Sequence, residues 1–229
     1  MSNLTALGKS SETELKWPFF SKGEYVYKLL KDRIANGYLE RNKTYTIVEI
    51  AEGLGISRTP VGEAVKILAS QNFIILNQGV GFKIRELTKD DICENLIISG
   101  ALEAVVLKKI INDKTKILDK LQGAVTRSRK AIKEQNAGLY TQSSAEFHKA
   151  FYALAALPRV TEILYENVFV HELWYREAAN RYPEEIKRLI EDHENIITII
   201  KEGDYKHADK VISAHVRNCE AVLLKAIQA

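Results

Sequence analysis

Hydrophobic side chains recur every three to four residues along the first part of the chain, the spacing of one face of an amphipathic helix. Up to residue 71 this pattern predicts three helices, in "KGEYVYKLLKDRIANGYL", "TIVEIAEGL" and "RTPVGEAVKILASQ". A short β-branched piece, "TYT", comes just before the second of them. Residues 1–20 show no period and predict a flexible N-terminal arm.

The period changes to two in the next stretch, "FIILNQGVGFKIREL". Alternating apolar residues on both sides of a segment rich in Asn and Gly indicate two strands joined as a hairpin. Three short helices followed by a hairpin are the layout of a winged helix-turn-helix, a small DNA-binding unit. We therefore predict such a domain over residues 21–86.

Residues 87–229 show helical periodicity and no strand pattern. Thr88 and Asp91 have the spacing of a capping box at the start of the first long apolar run. Six helices are predicted, over 90–112, 114–135, 138–156, 158–180, 184–202 and 204–228. Short connections between long helices favour an antiparallel all-α bundle. The predicted fold is thus mainly α, with a winged helix-turn-helix followed by a helical bundle.

Composition and charge distribution exclude some classes of protein. Residues 1–88 hold 12 Lys/Arg and 9 Asp/Glu, whereas the rest of the chain is balanced, so the net charge of +3 lies in the N-terminal part. This is a weak indication of nucleic-acid contact. No apolar run reaches the ~18 residues of a membrane span, and no secretory signal is recognisable. Cys93 and Cys219 lack disulfide or zinc spacing, so we expect a cytoplasmic protein.

The stretch "LGISRTPVGEAVKIL" carries the candidate DNA-reading residues. Ser57 is a suitable N-cap, and the amides behind it can meet a phosphate. Arg58 lies at the helix end that enters the major groove, where it can bind a guanine, and Thr59 can contact phosphate or a thymine methyl. On its own, Arg58 could equally be a solvated charge at a helix end.

Four further residues complete the predicted DNA-binding set. Lys43 and Lys66 are candidates for phosphate contacts, which add affinity without reading sequence. Gly79 and Gly81 would let the tip of the hairpin approach the minor groove closely.

Three histidines of the helical half lie on or beside apolar stripes of different helices: His148, His193 and His215. A helical bundle can gather such residues around one centre, and imidazole binds Zn, Ni, Fe or Cu. Together they form a candidate site for a divalent metal, Zn or Ni. The alternative is that each is an ordinary core histidine with a hydrogen-bond partner.

The segments "ISRTPVGEAVKIL" and "NQGVGFKI", followed by a helical half of this length, resemble the GntR family of bacterial transcription regulators. The helical half is similar to the FCD effector domain of the FadR-like subfamily, in its six-helix, VanR-like form. The resemblance implies a homodimeric repressor that binds a double-stranded DNA operator. Its operator affinity would respond to a small metabolite, often an organic acid.

Four positions depart from that family pattern. Gly62 and Val48 stand where the family commonly has arginines that contact DNA, which predicts an altered operator preference. Ser144 stands at the usual aspartate ligand of the metal site, and a hydroxyl is a poor substitute for a carboxylate. Ser99 stands at an arginine position in the first FCD helix, so a cationic anchor for an acidic effector is missing.

The effector pocket is expected to include Ser99, Tyr140, Ser144, Trp174 and Arg176. The aromatic members could instead be plain core residues.

Two alternatives to a metal-containing regulator stay open at this point. One is a metalloenzyme built on the helical bundle, in which three histidines activate water. No suitably placed general base supports it, and we expect no enzyme. The other is a regulator that has lost its metal site.

Overall fold

The computed structural model describes residues 21–35, 38–40, 43–71, 73–77, 79–86, 88–111 and 118–227, with backbone only for 35 and 166–174. The predicted N-terminal arm and the side chain of Trp174 lie outside these residues. The chain divides into two compact units, Met1–Glu86 and Leu87–Ala229. In the described residues no helix is both long enough and apolar enough to cross a membrane.

The described residues of the first unit form three helices and three strands. They are α1 (Lys22–Ala35), β1 (Thr44–Tyr45), α2 (Ile47–Leu54), α3 (Arg58–Ser70), β2 (Ile74–Asn77) and β3 (Gly81–Ile84). A capping box between Thr46 and Glu49 starts α2, and Gly55, in the left-handed region at φ 65°, ends it. Gly53, two residues earlier, is still helical.

The strands form one antiparallel sheet in the order β1-β3-β2. Phe82 of β3 lies opposite Tyr45 of β1 and Leu76 of β2. Phe82 is buried, as are the inward residues of the helices, Leu30, Ile50 and Leu68. Three helices with this small sheet make the winged helix-turn-helix that the periodicity predicts.

The second unit contains all six predicted helices. They are α4 (Lys89–Ile110), α5 (Leu118–Lys133), α6 (Ala137–Ala153), α7 (Pro158–Arg181), α8 (Pro183–Glu202) and α9 (Ala208–Ile227). The capping box of Thr88 and Asp91 is present. The last helix begins later than predicted, because a 3₁₀ turn, Tyr205–His207, precedes it and Asp204 caps that turn.

The core of this unit is made of aliphatic and aromatic side chains from all six helices. Helix α6 packs against α5 and α7, while α9 packs against α4, α7 and α8. Side chains of α6, α8 and α9 meet at the three histidines, whose ring centres lie 4.9 to 5.6 Å apart.

Candidate functional sites

The tight turn between α2 and α3 fixes the start of α3. Gly55 reverses the chain after α2, and Ser57 occupies the N-cap position of α3 with extended backbone angles. Ser57 is thus the N-cap residue, as predicted, although its side chain makes no capping hydrogen bond. The side chains of Ser57, Arg58 and Thr59 are all exposed. The N-terminus of α3 thus presents two hydroxyls and a guanidinium to solvent.

Helix α3 has one buried face and one exposed face. Val61 and Leu68 are buried in the core of the unit. Arg58, Gly62 and Lys66 are spaced by four residues and so share one face, on which Arg58 and Lys66 are exposed. A Cβ added at Gly62 would meet only Ile47 Cδ1, at 3.9 Å. Position 62 therefore has room for a side chain on the face that carries Arg58.

Two lysines lie on or next to the sheet of the same unit. Lys43, just before β1, holds its Nζ 5.2 Å from the centre of the Tyr45 ring. Lys83 of β3 is exposed and lies opposite Thr44 of β1. Lys83 is not among the predicted DNA-binding residues, although its alternation with the apolar residues of "GFKI" marks it as outward-facing.

The two glycines at the hairpin tip have different structural roles. Gly79 is exposed, at φ 73°, and an added Cβ would meet nothing within 4 Å. Gly81 has φ 136°, and an added Cβ would lie 2.2 Å from the carbonyl oxygen of Tyr45. Gly81 is therefore required by the close approach of β1, whatever the hairpin tip contacts.

The second unit brings the three predicted histidines together. His148 of α6, His193 of α8 and His215 of α9 each offer one ring nitrogen, and these atoms all lie within 4.8 Å of one another. The Nε2 atoms of His148 and His193 are 3.2 Å apart. His193 and His215 are buried, and His148 is half-buried.

Two carboxylates that the sequence analysis missed stand behind this cluster. Glu103 of α4 is only 3% exposed, and its Oε1 lies 3.3 Å from His148 Nδ1. Asp192 is also buried, with Oδ2 3.6 Å from His215 Nδ1. Asn218 donates a hydrogen bond to the same Asp192 oxygen, at 2.8 Å. Each carboxylate thus faces the Nδ1 side of one imidazole.

Burial and these contacts set the protonation of the cluster. Burial lowers the pKa of His193 well below its ordinary value, and the neighbouring His148 and His215 lower it further. Burial alone would raise the pKa of Glu103, but the hydrogen bond and charge of His148 hold it below its usual value. Tyr152 donates a hydrogen bond of 2.5 Å to Glu103 Oε1. Near pH 7, His193 is therefore neutral and Glu103 ionised.

The donor set fits a divalent metal. Two nitrogens bound to one ion at about 2.0–2.1 Å lie about 2.8–3.4 Å apart at coordination angles near 90–110°, and the His148–His193 separation of 3.2 Å matches. A carboxylate that accepts Nδ1–H leaves Nε2 free as the ligand atom, which is the usual outer-shell arrangement of metal-bound histidine. Imidazole nitrogens suit Zn or Ni.

A cavity of about 40 Å³ adjoins the cluster, with room for roughly three water molecules. Ser99 and Ser144, two predicted pocket residues, line it together with Glu103, His148 and His215.

Two other pocket predictions are not supported by the cavity. Among the described residues that line it, neither Tyr140 nor Arg176 appears. Tyr140 is buried, and its hydrogen bond to Ser144 places it behind the wall. The sequence cannot separate a wall residue from one packed behind it, because both lie on the inward stripe of the same helix.

Two family models match the chain. Residues 22–84 match bacterial regulatory proteins of the gntR family, and residues 98–218 match the FCD domain.

Among curated proteins, the chain is similar to a probable D-xylose utilization operon transcriptional repressor of Paenarthrobacter nicotinovorans, with 25% identity over 80% of each chain. It is also similar to the gluconate operon transcriptional repressor of Bacillus subtilis, with 26% identity over 80% of this chain and 77% of that one.

Among solved structures, the fold resembles E. coli McbR/YncC, with a TM-score of 0.79 and 21% identity. A GntR-type putative regulator from Rhodococcus sp. RHA1 gives a TM-score of 0.75 and 19% identity. Each match covers 90% of this chain and 99% of the other. The proteins matched by sequence are transcription regulators, not enzymes, and the structural matches bear on the fold.

Proposed function

This chain belongs to the GntR family of bacterial transcription regulators and carries an FCD domain, and on that premise we propose that it is a cytoplasmic, ligand-controlled repressor. Its first unit binds an operator, and a small molecule bound in its second unit changes the operator affinity. The observation that carries the proposal is the exposed N-terminus of α3, where Ser57, Arg58 and Thr59 all face solvent. Such a reading end is the part of a helix-turn-helix that meets base edges.

DNA recognition follows from the two faces of α3. Its apolar face fixes the helix on α1 and α2, so the exposed face enters the major groove as a rigid element. Arg58 can pair with the O6 and N7 atoms of a guanine. Lys66, Lys43 and Lys83 add phosphate contacts, which make affinity depend on salt but carry no sequence information. Gly79 allows the hairpin tip to approach the backbone of the duplex.

The experiment is a mobility-shift titration on duplex DNA selected by this protein from a random library. We expect sub-micromolar binding that weakens as salt rises. Arg58→Ala should relax sequence preference at one position and cost about 1–3 kcal/mol. Lys66→Ala should weaken binding to all sequences alike. Failure to select any sequence would contradict the proposal.

A divalent metal is the second part of the proposal. His148, His193 and His215 would hold it through ring nitrogens, with Glu103 and Asp192 orienting two of the rings. A metal there would tie α6, α8 and α9 together and offer an open coordination position to an effector. The two carboxylates supply the negative charge that Ser144 does not.

The test for this metal is thermal unfolding with and without Zn²⁺ or Ni²⁺. Binding at 100 times the dissociation constant adds about 2.7 kcal/mol of stability. His148→Ala should abolish that gain, while His207→Ala, at an exposed histidine of the same unit, should keep it. Equal melting of the wild type with and without metal would support a regulator that has lost its metal site.

Dimerisation through α4 is the third part. This helix exposes an apolar stripe formed by Ile97 (69% exposed), Ile98, Ala101 and Val105 (49% exposed). Exposed apolar stripes of this kind mark interaction surfaces. A second copy of the chain is the expected partner, because a two-fold axis pairs the stripe with itself and gives each half-site of a near-palindromic operator one reading helix.

Light scattering coupled to gel filtration tests this surface. Ile97→Glu should convert the dimer to a monomer and weaken operator binding. Ile163→Glu places the same charge on an exposed isoleucine of α7 and should leave the dimer intact. If both variants remain dimeric, the interface lies elsewhere.

A further inference from the structure

An exposed apolar side chain, Val80, stands at the tip of the β2–β3 hairpin, and the DNA contacts proposed above do not use it. We infer that Val80 lies against base edges in the minor groove of the operator and selects an A·T or T·A pair there. This role rests on the proposed DNA-binding function and adds a specificity-determining residue to it. The fixed position of Val80, its uncharged neighbours and its lack of hydrogen-bonding groups point to it.

A tight turn between two glycines holds Val80 at the tip. Its backbone N–H donates to the carbonyl oxygen of Asn77, at 3.0 Å, and so closes the turn that joins the two strands. Gly79 and Gly81, on either side of Val80, have φ of 73° and 136°. The valine is nevertheless 60% exposed, and its β-branched side chain is stiff at χ1. The turn thus presents a rigid apolar group to solvent at a defined position.

The hairpin is long enough to bring this tip to the minor groove. Strand β2 begins four residues after the end of α3, and both lie in the first unit. When a helix lies in the major groove, the minor groove on the same side of the duplex is half a helical turn away, about 17 Å. A four-residue strand such as β2 spans about 13 Å, and the turn extends the hairpin further. With α3 in the major groove, the tip can therefore reach the neighbouring minor groove.

The tip itself carries no charge. Residues 77–81 read "NQGVG", and the nearest Lys or Arg along the chain is Lys83. A cationic tip would favour narrow grooves through their negative potential, and this tip has no such group. Asn77 is exposed, but an amide both donates and accepts hydrogen bonds, so it can pair with either class of base pair. Discrimination at the tip therefore falls to Val80.

The floor of the minor groove tells such a group which class of base pair it covers. A·T and T·A pairs present only acceptors there, whereas G·C and C·G pairs add the N2 amine of guanine, which is a donor. That amine projects into the space that an A·T pair leaves free beside the C2–H of adenine. A valine side chain cannot accept a hydrogen bond, so covering the amine would bury an unpaired donor, which is unfavourable. Val80 therefore packs closely only on A·T or T·A.

The test adds or removes that amine while the hydrogen-bonding groups of the major groove stay those of A·T or G·C. An operator is first selected from random duplexes by the wild-type protein. Each A·T pair is then replaced in turn by 2,6-diaminopurine·T, which carries the amine, and each G·C pair by inosine·C, which lacks it. All four pairs are finally compared at any position that responds. We expect one position in each half-site where the two pairs with the amine bind about 5-fold or more weakly, the lower end of the cost of a mismatched base pair.

Two variants of the hairpin tip assign this preference to one side chain. Asparagine is close to valine in size but can accept a hydrogen bond from the amine, so Val80→Asn should bind all four pairs alike. Asn77→Ala is the matched control and should keep the wild-type preference. Both side chains are exposed, so both variants should unfold at the wild-type temperature.

Two results would overturn the role of Val80. One is a selected operator in which no position responds to the amine. The other is a preference that Val80→Asn retains or that extends over several neighbouring pairs, since either would indicate readout of groove width instead. Failure to select any duplex would contradict the DNA-binding proposal itself. The two failures are distinguishable, because the selection precedes the amine scan.

Discussion

Replacing Gly62 by arginine is the sharpest test of how α3 meets DNA. The position lies one turn after Arg58 on the exposed face, and its added Cβ would contact only Ile47 Cδ1 at an ordinary 3.9 Å. The backbone there is helical, so an arginine fits without strain. Its guanidinium would extend from the same face as Arg58 and Lys66. Gly62→Arg thus tests whether that face lies in the groove.

Two effects of this change must be separated. Glycine inside a helix costs about 0.8–1.0 kcal/mol relative to alanine, so either Gly62→Ala or Gly62→Arg should stabilise α3 by about that amount. A new base contact adds about 1–3 kcal/mol, which is roughly 5- to 150-fold in operator affinity. The alanine variant has the first effect without the second. The ratio of the two variants' affinities therefore measures the contact alone.

The assay is a selection from random duplexes followed by equilibrium titration at two salt concentrations. Gly62→Arg should select a sequence with an added guanine preference and bind it more tightly than Gly62→Ala binds its own best site. A uniform gain on all sequences, with a steeper salt dependence, would indicate a phosphate contact instead. Equal affinity and equal preference of the two variants would refute the argument that position 62 faces DNA.

Three further predictions concern a buried carboxylate, the glycines of the hairpin and a surface ion pair. Glu103→Gln removes the carboxylate behind one candidate metal-binding imidazole and should weaken Zn²⁺ affinity about 10- to 100-fold in a chelator competition. Unchanged affinity would show that Glu103 does not position the His148 ring for the metal. Gly81→Ala should destabilise the first unit by more than about 2 kcal/mol in urea, whereas Gly79→Ala should cost about 1–2 kcal/mol, because only the former meets backbone. Arg129→Ala breaks a surface pair with Glu194 and should cost at most about 1 kcal/mol; a larger loss would contradict the rule for exposed ion pairs.

The order and type of the elements could be predicted because each depends on a local period. Apolar spacing of 3.6 and then 2 fixed the helices and the hairpin before any tertiary contact was known. The start of α4 could also be predicted from local sequence, because the capping box of Thr88 involves only residues that are three apart. The beginning of α9 was predicted too early, because the turn capped by Asp204 shortens that helix.

Some residues of the candidate metal site could also be predicted from local patterns, and others could not. His148, His193 and His215 could be selected from their apolar stripes, since metal-binding residue types are conspicuous there. Glu103 was missed because a carboxylate on a long helix is usually solvated. Its neighbours one turn on, Val106 and Leu107, are buried, and that inward stripe was the available signal.

By itself, the sequence determined the fold class and singled out the candidate DNA-reading segment and the three histidines, because these depend on residue type and local spacing. Only the tertiary structure decided which side chains meet across helices. Glu103 and His148 are 45 residues apart in the chain, yet their side chains lie 3.3 Å apart. The pairing of a buried carboxylate with an imidazole behind the candidate metal site depends on such contacts between helices. No local pattern encodes them.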